Sequence, residues 1–345
     1  MVFSLSLQGD SNMRAGSRGL WPLLAIASLL CAHAEARETT PFKAGITAPT
    51  VNMLPLWLAR DEGLFRAHGL NVAIVVTDGG SRGLAEVGAG RLDEMTVGLS
   101  SVLDANTKGG DYRLVASGAN TLSLGFFGAG TVTNAAQLKG KTVGISAKGS
   151  ESDTAARFAL RRLGLTPQDV TVVELGGTEK RLEALKTGAV GASALNAPVN
   201  FMAERDRLPK LVDLADDVPW IFTGMVFGRA YIAENRETVK AFLRGFVEGL
   251  YFGLANEARA KAILAREFKG LDARIVQATY DDFKRRVPRD AEPSRAGAET
   301  MIRELPALGT PVKSTNIADY IDASLIGDLR REGFFDAMKT KYGVE

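Results

Sequence analysis

Phe42-Lys43-Ala44-Gly45-Ile46-Thr47-Ala48 and, further along the chain, Thr142-Val143-Gly144-Ile145-Ser146-Ala147 decide how the sequence is read. Each is a short apolar run that ends on a hydroxyl and a small residue, the pattern of a buried strand running into a turn. Gly45 to Ala48 aligns with Gly144 to Ala147 at an offset of 99, and Leu84, Val87, Gly90 and Val97 align with Leu182, Leu185, Gly188 and Leu195 at 98. Working outward from the first run, apolar strands alternate with amphipathic helical stretches: 42–47, a helix near 54–67, 72–76, a helix near 82–89, and 95–98. From the second run the series repeats as 142–146, a helix over 151–163, 170–175, a helix over 179–187, and 190–195. Such alternation predicts parallel sheets flanked by helices. The echo predicts two similar α/β lobes, with chance likeness between generic β-α-β segments as the competing reading.

Beyond Phe227 the pattern becomes helical. Val239, Phe242, Leu243, Phe246, Val247, Leu250, Tyr251 and Leu254 fall at offsets 0, 3, 4, 7, 8, 11, 12 and 15, a broad apolar face that packs on a sheet. Its aromatic members therefore read as core. Further helices are expected near 258–268, 273–286, 296–305 and 317–331, and the clusters Lys284-Arg285-Arg286 and Arg330-Arg331 read as solvated faces.

The chain has 345 residues, 46% apolar and 24% charged, which is globular composition with length for about two domains. Forty-two basic against 40 acidic residues gives no electrostatic footprint for nucleic acid. Leu20 to Ala32 is an apolar run of about 13 residues, preceded by Arg14 and Arg18 and followed by Ala32-His33-Ala34 and Ala34-Glu35-Ala36. It is too short to span a bilayer and reads as a secretory signal peptide over residues 1–36, with translation from Met1 or Met13. Cys31 lacks the small preceding residue a lipobox needs. The exported chain would keep 40 basic and 38 acidic residues, no thiol, and one histidine, His68. That excludes disulfides, a cysteine nucleophile and Cys/His zinc sites. His68 precedes Gly69 at a helix end, where a structural role is the simpler reading.

Several strand-to-helix junctions could carry a ligand. Gly149-Ser150-Glu151-Ser152-Asp153 opens a helix with Ser150 as N-cap, and its free N–H groups and hydroxyls could hold an oxyanion or carbonyl, or only cap the helix. Thr47 to Thr50, Gly98-Leu99-Ser100-Ser101 and Leu195-Asn196-Ala197-Pro198 lie at equivalent strand ends, where open α/β sheets bind ligands. Gly79-Gly80-Ser81 and Gly176-Gly177-Thr178 are corresponding turns. No nucleophile elbow, Walker A loop, zinc-protease motif or dinucleotide fingerprint occurs.

Pro55-Leu56-Trp57-Leu58-Ala59-Arg60-Asp61-Glu62-Gly63-Leu64-Phe65 with His68-Gly69-Leu70-Asn71-Val72, and Gln137-Leu138-Lys139-Gly140-Lys141-Thr142-Val143-Gly144 with Gly149-Ser150, resemble the two lobe signatures of nitrate/sulfonate/taurine-type substrate-binding proteins of ABC importers. The resemblance covers about residues 42–250. It implies a type II periplasmic-binding fold, two α/β lobes closing over one solute in the cleft between them. The lobes would comprise 37–124 plus 225–345 and 125–224, with crossovers near 122–127 and 221–227. It further implies a monomeric periplasmic protein with no enzymatic activity and no cofactor, passing a small organic oxyanion or small aromatic solute to a membrane permease. Candidate ligand contacts by carry-over are Thr50, Ser100, Ser101, Ser150, Ser152 and Asn196. Glu151 departs from an anion-friendly loop. Pyrimidine-precursor synthases of this superfamily use His and Cys residues that this chain lacks. A secreted enzyme or a sensory ligand-binding domain on the same fold is the alternative.

Overall fold

The computed structural model describes residues 39–345 apart from Asp78, Asp216 and Asp217; the expected signal peptide lies outside them. Ten strands form two five-stranded sheets. The first contains β1 (Thr40–Ile46), β2 (Leu70–Val76), β3 (Glu94–Val97) and β4 (Tyr112–Thr121). The second contains β5 (Gly125–Gly128), β6 (Thr142–Ile145), β7 (Thr171–Glu174), β8 (Ala192–Leu195) and β9 (Lys210–Asp213), and β10 (Pro219–Gly228) returns to the first. The strand orders, β2-β1-β3-β10-β4 and β7-β6-β8-β5-β9, are the same arrangement written twice.

The repeat legible in the sequence has a structural counterpart. β3 and β8 are both four residues long at an offset of 98, and so are the nine-residue helices Gly80–Gly88 and Thr178–Lys186. β1 and β6 end 99 residues apart, at Ile46 and Ile145.

The sheets are mixed, where the alternating pattern predicts parallel ones. β1 pairs in parallel with β2 and β3, and β6 with β7 and β8, but β10 runs antiparallel to β3 and β4, and β5 antiparallel to β8 and β9. The reason is connectivity. β4 runs in the direction of β3 and β9 in that of β8, so each finishes at the carboxyl ends of its sheet, and the strand that follows starts from that end in the other sheet and runs against its neighbours. The two passages lie side by side, the Leu214 N–H donating to the Leu124 carbonyl at 3.0 Å.

The long helix Arg236–Ala255 buries the apolar face read from the sequence, with Leu254 half-buried at its end. Phe242 stacks on Phe42 of β1 at 4.8 Å and on Phe65 at 5.2 Å between ring centres, which seats the helix on the first sheet. The helix expected over 54–67 is two, Leu54–Asp61 and Leu64–Ala67, broken at Gly63, whose φ of 71° belongs to the left-handed region that favours glycine. The helix expected over 317–331 is a short turn, Ile317–Asp319, followed by the helix Ser324–Arg331, and Phe334–Tyr342 adds a last helix. Arg286 departs from the solvated-face reading. Its side chain is 7% exposed and its Nε donates to the buried Asp282 at 2.7 Å. His68 is structural as expected: its Nε2 lies 2.7 Å from the buried Glu248.

Candidate functional site

The strand ends that the sequence marks as ligand sites meet in one cavity between the sheets, about 60 Å³ in volume, room for a few water molecules. From the first sheet come Thr47, Ala48 and Thr50 after β1, Gly98 and Ser101 after β3, and Phe222 and Thr223 of β10; from the second come Ser146, Ser150, Glu151 and Ser152 after β6, Thr178 and Arg181 on the helix after β7, and Asn196 after β8. Five of the six candidate residues, Thr50, Ser101, Ser150, Ser152 and Asn196, therefore line a single cavity. Ser100 does not line it, being directed at Glu151 instead.

Ser150 is the N-cap of helix Glu151–Arg162, its hydroxyl accepting the Asp153 N–H at 3.4 Å. Asp153 does not close a reciprocal box on Ser150; its carboxylate accepts the Gly149 N–H at 2.9 Å and pairs with Arg157 one turn on. The hydroxyls of Ser146, Ser150 and Ser152 form a triangle with sides of 2.9, 2.9 and 3.0 Å, and Ser152 Oγ also accepts the Ser146 N–H at 2.8 Å. Hydroxyl protons rotate, so this wall can turn donors or acceptors toward a bound molecule.

Glu151 crosses from the second half to the first. Its Oε1 accepts the Ser100 N–H at 3.0 Å and the Ser100 hydroxyl at 2.6 Å, and its Oε2 accepts the Trp220 indole N–H at 2.9 Å. The carboxyl therefore occupies the start of helix Leu99–Thr107, the place where an anion would be favoured. Burial pushes its pKa up to about 7, against the lowering effect of the three hydrogen bonds. Gly98 makes room for it, since a Cβ there would lie 1.9 Å from Glu151 Oε1. Other contacts join the halves around the cavity: Ser81 Oγ to the Lys148 carbonyl at 3.1 Å, and Arg82 to Glu174 at 3.1 Å.

Arg181 is the cavity residue that sequence reasoning missed. It sits on the buried face of its helix with Thr178, Leu182 and Leu185, and a charged residue at a core position was the signal that could have found it. Its guanidinium donates to the Ala194 carbonyl and, at 2.8 Å, to Thr178 Oγ1, which in turn donates to Asn196 Oδ1 at 3.2 Å. Its Nε has no partner, and neither does Thr50 Oγ1 across the cavity. Burial lowers the Arg181 pKa to about 10, so the side chain is charged at neutral pH. Among the described residues no group of three or more His, Cys, Asp or Glu could hold a metal, and no helix is long and apolar enough to cross a membrane.

A family model described as NMT1/THI5-like matches residues 50–260, more than half of the chain. The chain belongs to the NMT1/THI5-like family. Within reach of this NMT1/THI5-like chain is the riboflavin-binding protein RibY of Chloroflexus aurantiacus, 30% identical over 219 residues, which are 61% of this chain and 62% of that protein. A Brachyspira hyodysenteriae protein, named provisionally as an ABC transporter periplasmic binding protein, is 24% identical over 259 residues, covering 68% and 74%. The fold matches solved structures: the alkanesulfonate-binding protein SsuA of Xanthomonas axonopodis bound to MOPS, at TM-score 0.68 and 19% identity over 83% of this chain and 99% of that one. The nitrate-binding protein NrtA of Synechocystis matches at TM-score 0.60 and 13% identity over 90% and 91%. The two-lobed α/β fold with a cleft between the sheets is thus the periplasmic-binding architecture expected from the sequence.

Proposed function

We propose that this protein is the solute-binding component of an ABC importer. It captures a small organic oxyanion or small aromatic solute in the cleft between two lobes and passes it to a membrane permease; the expected lobes, 37–124 plus 225–345 and 125–224, shift at their second boundary, because β10 (Pro219–Gly228) lies in the first sheet and carries Trp220, Phe222 and Thr223 with it. One observation carries the reading: hydroxyl, amide and guanidinium groups from both halves converge on one cavity, and two of them, Thr50 Oγ1 and Arg181 Nε, are buried without a partner. Buried polar groups are ordinarily satisfied, and these two lie in the cavity, where a guest would satisfy them. The sulfonate- and nitrate-binding neighbours and the binding proteins among the relatives support the same role.

The lobes move about the two passages between the sheets, the one at 122–124 and the one that precedes β10 rather than the expected 221–227, and close on the solute. We further propose that the protein works as a monomer in the periplasm after removal of residues 1–36, and that it binds without turnover, in keeping with the relatives and neighbours named as binding proteins. The test is a thermal-shift screen of the exported chain against sulfonates, carboxylates, nitrate and small aromatic solutes, with small-angle scattering and product analysis of each hit. A hit that compacts the protein and is recovered unchanged supports the proposal; a hit that is chemically converted refutes binding without turnover.

A further inference from the structure

Arg181 puts a full positive charge in the cavity with nothing to balance it. It is 4% exposed, and its partners, the Ala194 carbonyl and the Thr178 hydroxyl, are neutral. No carboxylate of the described residues pairs with it. The one carboxyl in the cavity, Glu151, is committed to Ser100 and Trp220 of the other half. A buried charge without a counter-charge is costly to keep, yet the Nε donor is left free on this cation.

Taken together, these contacts make the cavity polar in one direction. The helix start at Ser100, where the sequence would put an incoming anion, is already filled by the protein's own carboxyl. The remaining place for negative charge is beside Arg181, with the Thr178 hydroxyl next to it and the unpartnered Thr50 hydroxyl in the same cavity. A second acid group would meet the carboxyl of Glu151 rather than a cation.

We propose that the solute is a small monoanionic acid whose carboxylate or sulfonate pairs with Arg181, making Arg181 the residue that sets the charge specificity of the cleft. This rests on the solute-binding reading above and sharpens it to one class of solute and one orientation. The guanidinium offers its free N–H to an acid oxygen, a charge-assisted bond that a neutral isostere cannot match. Glu151 keeps that acid group on the second lobe's side of the cleft.

The test compares matched pairs on the exported chain by thermal shift and calorimetric titration at constant ionic strength: acetate and acetamide, benzoate and benzamide, methanesulfonate and methanesulfonamide, benzenesulfonate and benzenesulfonamide. Acids should bind and their neutral partners should bind far more weakly, with Arg181→Gln weakening the acids by about 10- to 150-fold. Arg181→Lys, which keeps the charge without the fork, should retain the preference for acid over amide at lower affinity, and it carries the test should the glutamine variant fail to fold. Acids that bind Arg181→Gln as tightly as wild type, amides that match their acids, or an absence of acid binding would each overturn the assignment. Binding of amides alone would overturn it while leaving solute capture standing; a chain that also answers to nothing in the wider screen loses both.

Discussion

Replacing Glu151 by Gln tests the contact that joins the two halves of the protein. The glutamine is the isostere of the neutral acid and keeps an oxygen for the two Ser100 donors, while its amide group faces the Trp220 N–H. Burial raises the carboxyl from its ordinary 4.5 to about 7 in the folded chain. Because the folded state holds the proton more tightly than the unfolded state, the stabilising contribution is fully present below pH 4.5 and is lost as the pH rises through about 7. At about 1.4 kcal/mol per pH unit this amounts to about 3 kcal/mol in all, most of which falls between pH 5 and pH 8. The variant has no such group. Urea denaturation of both proteins, followed by circular dichroism at pH 5, 6, 7 and 8, should show the difference in unfolding free energy moving in the variant's favour by about 2–3 kcal/mol across that range. Glu94, also buried and raised by desolvation, is common to both proteins and cancels. Any penalty from the mismatched Trp220 N–H shifts all four points equally. A difference that stays constant with pH would refute the reasoning, because it would mean that Glu151 titrates alike in the folded and unfolded states.

Gly98→Ala should expel Glu151 from its seat, since the new Cβ would fall 1.9 Å from Oε1; the variant should scatter as a more open particle, and Gly98→Ala combined with Glu151→Ala should recover the compact form. Ser150→Ala should cost about 0.5–2 kcal/mol through loss of the cap. Because Ser150 also belongs to the hydroxyl wall of the cavity, the affinity for a solute found in the screen should fall roughly 5- to 150-fold, more than stability explains; wild-type affinity in this variant would remove Ser150 from the site. Glu248 is opposite in sign to Glu151. Burial would raise it, but hydrogen bonds from His68, Lys341 and Tyr342 outweigh that and hold it at about 2. Its contribution is present above about pH 4.5 and lost as the pH falls toward 2, so Glu248→Gln should be most destabilised near neutrality and converge with wild type in acid denaturation curves.

Local patterns in the sequence determined much of this protein. The alternation of apolar runs with amphipathic stretches set the α/β class, and the 98- to 99-residue echo laid out two matching halves, because strand and helix periodicities are properties of neighbouring residues. The placement of hydroxyls at strand ends brought Thr50, Ser101, Ser150, Ser152 and Asn196 to one cavity, since equivalent strand ends in two facing sheets must point at each other. What needed the tertiary structure was every property that depends on a partner far along the chain. The direction of β5 and β10 follows from the end of the sheet at which the chain enters, and short apolar runs carry no sign of that. Arg181 occupies a helical core position that periodicity marks only as buried; that it lines a cavity with neutral partners, and with no carboxylate of the described residues paired to it, is decided by Ala194 and Thr178. Glu151 reads from sequence as an unwelcome charge in an anion loop, yet its oxygens are satisfied by Ser100, 51 positions away, and Trp220, 69 positions away. The same holds for Arg286, which looks solvated in a basic run and is buried against Asp282. Periodicity tells which side chains leave water, and only the packing of distant segments tells what they meet there.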